Sequence, residues 1–280
     1  MGLNQHLAAL DKDVILTEQD MESLQQYRLA GMDVLVYSRR SPDKHSANED
    51  ALALIPLPDD SFVAIVADGV GGQRGGRQAS YTVVDCLSKS LSQAATENLR
   101  NAILDGIELA NQTIQTLGMG AASTLALLEV NSDQVRPYHI GDSEILIVGQ
   151  RGKVKLHTLS HSPSSYAVEA GIMENHEAML HEERHLVSNL LGYDDMRIEL
   201  GPQLTLQAKD TALIASDGLF DNIGIDDINA IIRKGPLINA MKNLVTLSLR
   251  RMHHQSNSDT PSKPDDISII LIRKHRKSAG

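Results

Sequence analysis

The chain has 280 residues, 41% of them hydrophobic, and its 36 acidic and 26 basic side chains leave a formal net charge of −10. That length supports one substantial core and one large domain, and the acidic balance argues against nucleic acid, which selects a basic face. The single cysteine, Cys86, excludes an intramolecular disulfide framework and a cysteine-based zinc site.

No apolar stretch approaches the roughly 20 residues of a membrane span. The N-terminus lacks a secretory h-region, and His6 stands where the myristoylation pattern needs Ser or Thr. A cytoplasmic soluble protein is expected.

In chain order, residues 1–31 mix polar and apolar types weakly, with a short helix expected after Thr17, and read as an appendage. Two strand-like runs between Met32 and Ala67 flank the polar loop Ser41–Asn48, and a glycine-rich turn, Gly69–Gly76, follows. Val83, Leu87 and Leu91 mark one helix, with Cys86 packed in its core pattern. Leu99, Ile103, Ile107, Ile114 and Leu117 mark a second, stopped by Gly118 and Gly120.

Strands are expected at Ser123–Val130, Gln134–Ile140, Glu144–Val148 and Lys153–His157, and helix from about Pro163 to Arg184. Strands return at Ile198–Leu206 and Thr211–Ala215, and two helices cover about 226–253. A polar loop, Ser256–Pro264, leads to a last strand from Ile267 and the basic tail Arg273–Lys277. The domain is expected over 32–273, with 274–280 outside it. Strand blocks alternating with helix pairs favour antiparallel sheets with helices outside.

Several of these strands deliver carboxylates at their ends. Phe62–Ala67 runs into Asp68-Gly69, Leu213–Ser216 runs into Asp217-Gly218, His139-Ile140 precedes Gly141-Asp142, and Asp265-Asp266 opens the last strand. Glu49-Asp50 adds a pair before the strand that leads towards Asp68, and Asp221 lies just beyond Asp217. Asp-Gly alone is an ordinary turn dipeptide. Carboxylates converging at buried strand ends, however, repel strongly unless cations neutralise them, and hard divalent metals bound by oxygen meet that need.

The ordered series Asn48-Glu49-Asp50, Asp68-Gly69-Val70-Gly71-Gly72, Ser123-Thr124, Gly141-Asp142-Ser143, Ser216-Asp217-Gly218-Leu219-Phe220-Asp221 and Asp265-Asp266-Ile267-Ser268 resembles the motifs of the protein phosphatase 2C family. These are metal-dependent serine/threonine protein phosphatases, and the resemblance, from about residue 34 to 272, is to the compact bacterial members. It implies an α+β fold, a four-layer αββα sandwich of two antiparallel sheets flanked by helix pairs. It also implies two Mn²⁺ or Mg²⁺ ions at one end of the sandwich. By resemblance, Asp68 bridges both ions, Asp217 and Asp265 complete one set of ligands, and Glu49 with the Gly69 carbonyl serves the other. Asp142 with Asp217 would hold a third, weaker ion. A water held between two metals loses a proton near neutral pH and attacks phosphorus in line. The expected partners are phosphoserine and phosphothreonine proteins and a cognate serine/threonine kinase, and the expected state is a monomer.

Four departures stand out. His45 occupies the position where many relatives carry a phosphate-gripping Arg; a His cannot form the bidentate fork, and Arg39, Arg40 or Lys44 are candidates to compensate. Val70 replaces a His to which some members assign proton donation, Glu144 replaces an Arg, and Ala122 a Gly. Asp68, Asp217 and His45 are the candidate catalytic residues. Two competing readings are a zinc metalloprotease, from the zincin spacing of His181-Glu182-Glu183-Arg184-His185, and a catalytically silent phosphoprotein-binding module.

Overall fold

The computed structural model describes residues 10, 12–42, 44–93, 98–118, 120–181, 183, 186–253 and 261–275. The chain begins with β1 (Val14–Thr17), β2 (Gln25–Leu29) and β3 (Met32–Arg39), followed by the hairpin β4 (Ala51–Leu57) and β5 (Ser61–Ala67) and a short β6 (Gly69–Val70). Two long helices follow, α1 (Gly72–Ser92) and α2 (Leu99–Leu117). Next come β7 (Ala122–Ser123), β8 (Leu125–Asn131), β9 (Gln134–Ile140), β10 (Glu144–Val148) and β11 (Val154–His157). Short helices α3 (Pro163–Glu169) and α4 (Asn175–Leu180) precede β12 (Glu199–Leu200), β13 (Leu204–Thr205) and β14 (Thr211–Ala215). The last elements are α5 (Asp217–Phe220), α6 (Ile225–Ile232), α7 (Leu237–His253) and β15 (Ile267–Lys274).

Two antiparallel sheets result, in the orders β1-β4-β5-β8-β9-β12, with β13 also on β9, and β11-β10-β14-β15-β3-β2. They pack face to face through Phe62, Ala64 and Val66 of β5 against Val34, Val36, Ile270 and Ile272 of the other sheet. The alternate residues of β5, Val63, Ile65 and Ala67, face the helix pair α1–α2 through Val83, Leu87, Ile103 and Ile107. On the far side, α6 and α7 cover Leu213, Ile269 and Leu271. Strands covered on both faces read as unbroken apolar runs, which is why β5, β14 and β15 show no alternation. Each fully buried Ile or Leu contributes about 1.5–3 kcal/mol. The expected four-layer sandwich is the observed architecture.

Several local expectations are corrected. Residues 1–31 are not all appendage: β1 pairs with β4, and β2 pairs with β3, so this segment supplies an edge strand to each sheet. Edge strands with one wet face mix polar and apolar residues, which disguised them, and no helix follows Thr17. The second run before Ala67 is a hairpin whose turn places Asp59 and Asp60 at positive φ, 59° and 52°. The glycine-rich stretch is not one turn, since α1 begins at Gly72. The helix expected from Pro163 breaks into α3 and α4, with Gly171 at φ 68° between them, and its last expected residue, Arg184, lies outside the described residues. Lys274 ends β15 rather than opening a tail; 276–280 and the start of the Ser256–Pro264 loop lie outside the described residues. Among the described residues, no helix is long and apolar enough to cross a membrane.

Antiparallel pairing brings alternate strand ends to the same edge. Ala51 lies opposite Ala67, Leu125 opposite Ile140, Glu144 opposite Ala215, and Ile267 opposite Arg39. The turns carrying Glu49, Asp68, Asp142, Asp217 and Asp265 therefore share one end of the sandwich.

Candidate metal centre

Backbone hydrogen bonds fix each acidic turn. The Asp68 amide donates to Thr124 Oγ1 at 2.9 Å, and the Asp68 carbonyl accepts from the Thr124 amide and the Ser123 hydroxyl, both at 2.9 Å. Ser216 Oγ donates to Asp50 Oδ2 at 2.8 Å and accepts from the Ser268 amide at 3.0 Å, tying three of the turns together. Gly69 and Gly76 press their backbones against each other. A Cβ on Gly69 would lie 2.1 Å from the Gly76 carbonyl oxygen, and one on Gly76 would lie 2.8 Å from Glu49 Oε1. Only glycine permits that approach, which seats the start of α1 beneath the Glu49 carboxylate.

Two lysines stand between the acids. Lys44 Nζ bridges Glu49 and Asp266, 2.6 Å from Asp266 Oδ2. Lys263 Nζ contacts Asp217, and lies 2.8 Å from Asp221 Oδ2 and 3.2 Å from Asp265 Oδ2. Asp266 is fully employed, accepting from the Ser41 amide at 2.8 Å and the Glu49 amide at 2.7 Å as well as from Lys44. It is a latch that holds the Ser41–Glu49 loop rather than a spare ligand.

Burial first, and then the neighbouring carboxylates, push the acids away from ionisation. Asp68 is raised well above the usual carboxylate range by burial and by Asp50, Asp217, Asp265 and Asp142. Asp142 is raised by burial and Asp217, and Asp50 by burial and Asp266. Asp265 is pushed up to about 7 by burial and Asp217, against the pull of Lys263. Asp68 thus feels the widest set of negative neighbours. Glu49 Oε1, Asp50 Oδ1, Asp142 Oδ1 and Asp217 Oδ1 are buried without a hydrogen-bond partner. Unpaired buried oxygens on mutually repelling carboxylates form a donor set that fits a hard divalent cation: all oxygen, high charge, no nitrogen or sulfur.

The structure sorts the sequence candidates. Glu49, Asp68, Asp142, Asp217 and Asp265 come to one end, and Gly69 sits among them on β6. His45 does not join them: it is exposed and makes no hydrogen bond or ion pair with them among the described residues. Arg39 and Arg40 turn to Asp20, at 3.6 and 3.2 Å, so Lys44 is the cation delivered to the acids. Glu144 finds a partner within the sheet, His157 on the neighbouring β11. Lys263, two residues before Asp265, was not singled out from the sequence. A lysine that close to an aspartate pair is the signal that could have found it.

The zincin reading fails locally. Helix α4 ends at Leu180 and His181 is already extended (φ −68°, ψ 141°), so α4 does not carry the motif; Glu182, Arg184 and His185 lie outside the described residues. A different trio, His139, His161 and Glu199, brings its ligand atoms within 4.8 Å of one another. The hydrogen bonds of His161 argue against a metal there. Its Nδ1 accepts from the Gly141 amide at 3.0 Å, and its Nε2 faces Glu199 Oε2 at 3.0 Å, so the neutral ring carries its proton on Nε2. Such a ring has no lone pair left for a metal, and burial lowers its pKa and keeps it neutral. His161 instead clamps the turn before Asp142. Its amide donates to the Gly141 carbonyl at 2.8 Å, and its carbonyl accepts from Ser188 at 2.8 Å.

A two-sheet sandwich with helix pairs outside and an acidic cluster at one sheet end that fits divalent cations is the arrangement that the resemblance to metal-dependent phosphatases implies. Comparison with known proteins agrees. A family model described as "Protein phosphatase 2C" matches residues 40–255. Protein phosphatase PhpP of Streptococcus pneumoniae is 32% identical over 227 residues, 77% of this chain and 87% of that protein. Among solved structures, the serine/threonine phosphatase of S. agalactiae superimposes with a TM-score of 0.74 at 25% identity, covering 86% of this chain and 99% of that one. The catalytic domain of the phosphatase PstP, solved with two manganese ions, has the same fold, with a TM-score of 0.66 at 21% identity over 86% of this chain and 97% of that one. The chain belongs to the protein phosphatase 2C family, the metal-dependent serine/threonine protein phosphatases.

Proposed function

We propose that Asp68, Asp217 and Asp265, with Glu49 and the Gly69 carbonyl, hold two Mn²⁺ or Mg²⁺ ions, and that Asp142 with Asp217 offers a third, weaker position. The manganese pair in PstP supports the choice of metal. When bound, the ions would supply an acidified water and would offset charge on the phosphoryl oxygens. The observation that carries the reading is Asp68, whose carboxylate is repelled by four other acids while four buried oxygens nearby lack partners.

The protein's own residues do the positioning. Thr124 and Ser123 hold the Asp68 turn, Ser216 orients Asp50, and the Asp266 latch holds the loop that presents Lys44. Lys44 offers the substrate phosphate a point charge in place of the family's bidentate Arg. Val70, 37% exposed, has no proton to give, so the leaving hydroxyl takes its proton from solvent water. The substrates are phosphoserine and phosphothreonine proteins, in the cytoplasm of a bacterium, with a cognate kinase as counterpart and the monomer as working unit.

The test is hydrolysis of a phosphothreonine peptide by metal-stripped protein with Mn²⁺, Mg²⁺ or Zn²⁺ added back, beside Asp217→Asn. Turnover restored by Mn²⁺ or Mg²⁺ and lost in the variant is expected. Undiminished turnover in Asp217→Asn would remove the metal assignment.

A further inference from the structure

The end of the six-stranded sheet opposite the carboxylates carries a second concave feature. A cavity of about 490 Å³ opens there between the end of β15, the turn before β14 and the α6–α7 connection. Along β15, seven residue steps separate Ile267 at the acidic end from Lys274 at the cavity, about 23 Å at 3.3 Å per residue. The two sites do not share residues.

The lining contradicts the charge of the chain as a whole. Lys209, Arg233, Lys234, Arg273 and Lys274 line it, against a single acid, Asp33, in a chain with 26 basic and 36 acidic side chains. Asp33 is already ion-paired with Arg28 at 3.1 Å and contacted by His275 Nδ1 at 3.0 Å. Arg273 builds the wall: it donates to Thr211 Oγ1 at 2.9 Å, to the Ile232 carbonyl at 2.7 Å and to the Gly235 carbonyl at 2.6 Å. Those bonds fix the turn that sets Arg233 and Lys234 at the rim. Lys209 and Lys234 are exposed and carry no ion pair or side-chain hydrogen bond among the described residues.

The N-terminus of α7 adds to this field. The Asn239 and Ala240 amides close on the Pro236 carbonyl at 3.1 and 3.2 Å, while those of Leu237 and Ile238 precede any intrahelical acceptor. Pro236 and Leu237 both line the cavity, so the positive end of a 17-residue helix reinforces the cations. Its volume falls in the range of small-ligand sites, roughly 300–1,000 Å³.

We propose that this cavity binds a diphosphate group, free or carried by a small organic molecule, with Lys209, Arg233 and Lys234 as its charge partners. Lys274 is engaged by Asp133 at 3.8 Å and Arg273 by the wall it builds, whereas Lys209, Arg233 and Lys234 carry no ion pair among the described residues, and closely spaced phosphates match three such cations better than a single carboxylate does. Ala208, Pro236 and Leu237 give an apolar floor on which an organic group could rest. The inference is independent of the phosphatase reading.

The experiment is isothermal titration of the full chain with inorganic pyrophosphate and with ADP, in EDTA so that no divalent ion bridges phosphate to the acidic end. At about 150 mM salt, with a Debye length of about 8 Å, diffuse attraction is largely screened. Saturable one-to-one binding is expected, weakened at least about tenfold in Lys209→Glu/Lys234→Glu, less in Lys209→Gln/Lys234→Gln, and unchanged in Lys89→Glu on α1. Tighter binding of ADP than of pyrophosphate would assign the organic part to the apolar floor; equal affinity would assign the diphosphate alone. No binding of either probe at about 1 mM, equal binding in the Lys209/Lys234 variants, or an equal loss in Lys89→Glu would overturn the proposal.

Discussion

Replacing Lys263 by Met tests whether the acidic end is built around cations. The ammonium lies 2.8 Å from Asp221 and 3.2 Å from Asp265 and also contacts Asp217, while only 22% of its own side chain is exposed. Burial alone would lower its pKa, but the three carboxylates outweigh that and raise it. Unit charges about 3 Å apart attract by about 5–6 kcal/mol at an effective dielectric of 20. Desolvation cancels much of this, and the contact to Asp265, itself 35% exposed, counts least. Removing one partner of a buried pair costs about 3–5 kcal/mol, so in EDTA the variant should be less stable by about that amount. The same residue should act oppositely on metal binding. An ammonium and a divalent ion compete for the same oxygens, so the energy lost by the metal-free protein returns as affinity, roughly 150- to 4,000-fold tighter for Mn²⁺. Urea unfolding in EDTA and Mn²⁺ calorimetry read both quantities. Wild-type stability in EDTA together with unchanged Mn²⁺ affinity would refute the reasoning.

Other outcomes follow from single contacts. Lys44→Met should raise KM for a phosphothreonine peptide about tenfold at saturating Mn²⁺, the loss of one charge-assisted contact. His45→Ala should leave KM within about twofold, because His45 is exposed and apart from the acids; equal effects would return the phosphate contact to His45. Gly76→Ala puts a methyl 2.4 Å from the Gly69 carbonyl oxygen and 2.8 Å from Glu49 Oε1, and a loss of about 1–3 kcal/mol by thermal unfolding is expected. Burial lowers the pKa of His157, but Glu144 outweighs it and the net shift is upward from 6.5. Its contribution is therefore fully present below about pH 6.5 and is lost as pH rises through the raised value. His157→Gln should cost about 1.5 kcal/mol or more at pH 6 and progressively less above that window, and urea midpoints that differ equally at pH 6 and pH 9 would remove Glu144 as its partner.

The parts legible in the sequence were those written locally. An apolar run broken by Asp-Gly states both a buried strand and the side chain at its end, so Asp68 and Asp217 could be placed without knowing their neighbours. Glu49, Asp142 and Asp265 needed the whole ordered series, because each alone is an ordinary polar residue beside a strand. Edge strands β1 and β2 were illegible for a physical reason: their register is supplied by β4 and β3, not by their own weak alternation. The lysines were hidden for a related reason. The sequence distance from Lys44 to Asp266 is 222 residues, and nothing in Pro42–Asn48 says whether Lys44 or His45 turns inward. The fold decides, because Asp266 takes the Ser41 and Glu49 amides and so fixes both ends of the loop. That latch also gives the departure at position 45 a physical account. With the loop held by Asp266, Lys44 reaches the carboxylates and His45 faces solvent, so under the phosphate role proposed for Lys44 the cation would be kept with its position moved by one residue. Reversing that shift, with Lys44→Ala and His45→Arg together, should therefore leave KM raised as in Lys44→Met, since the latch still directs residue 45 outward; a return to the wild-type KM would refute the latch.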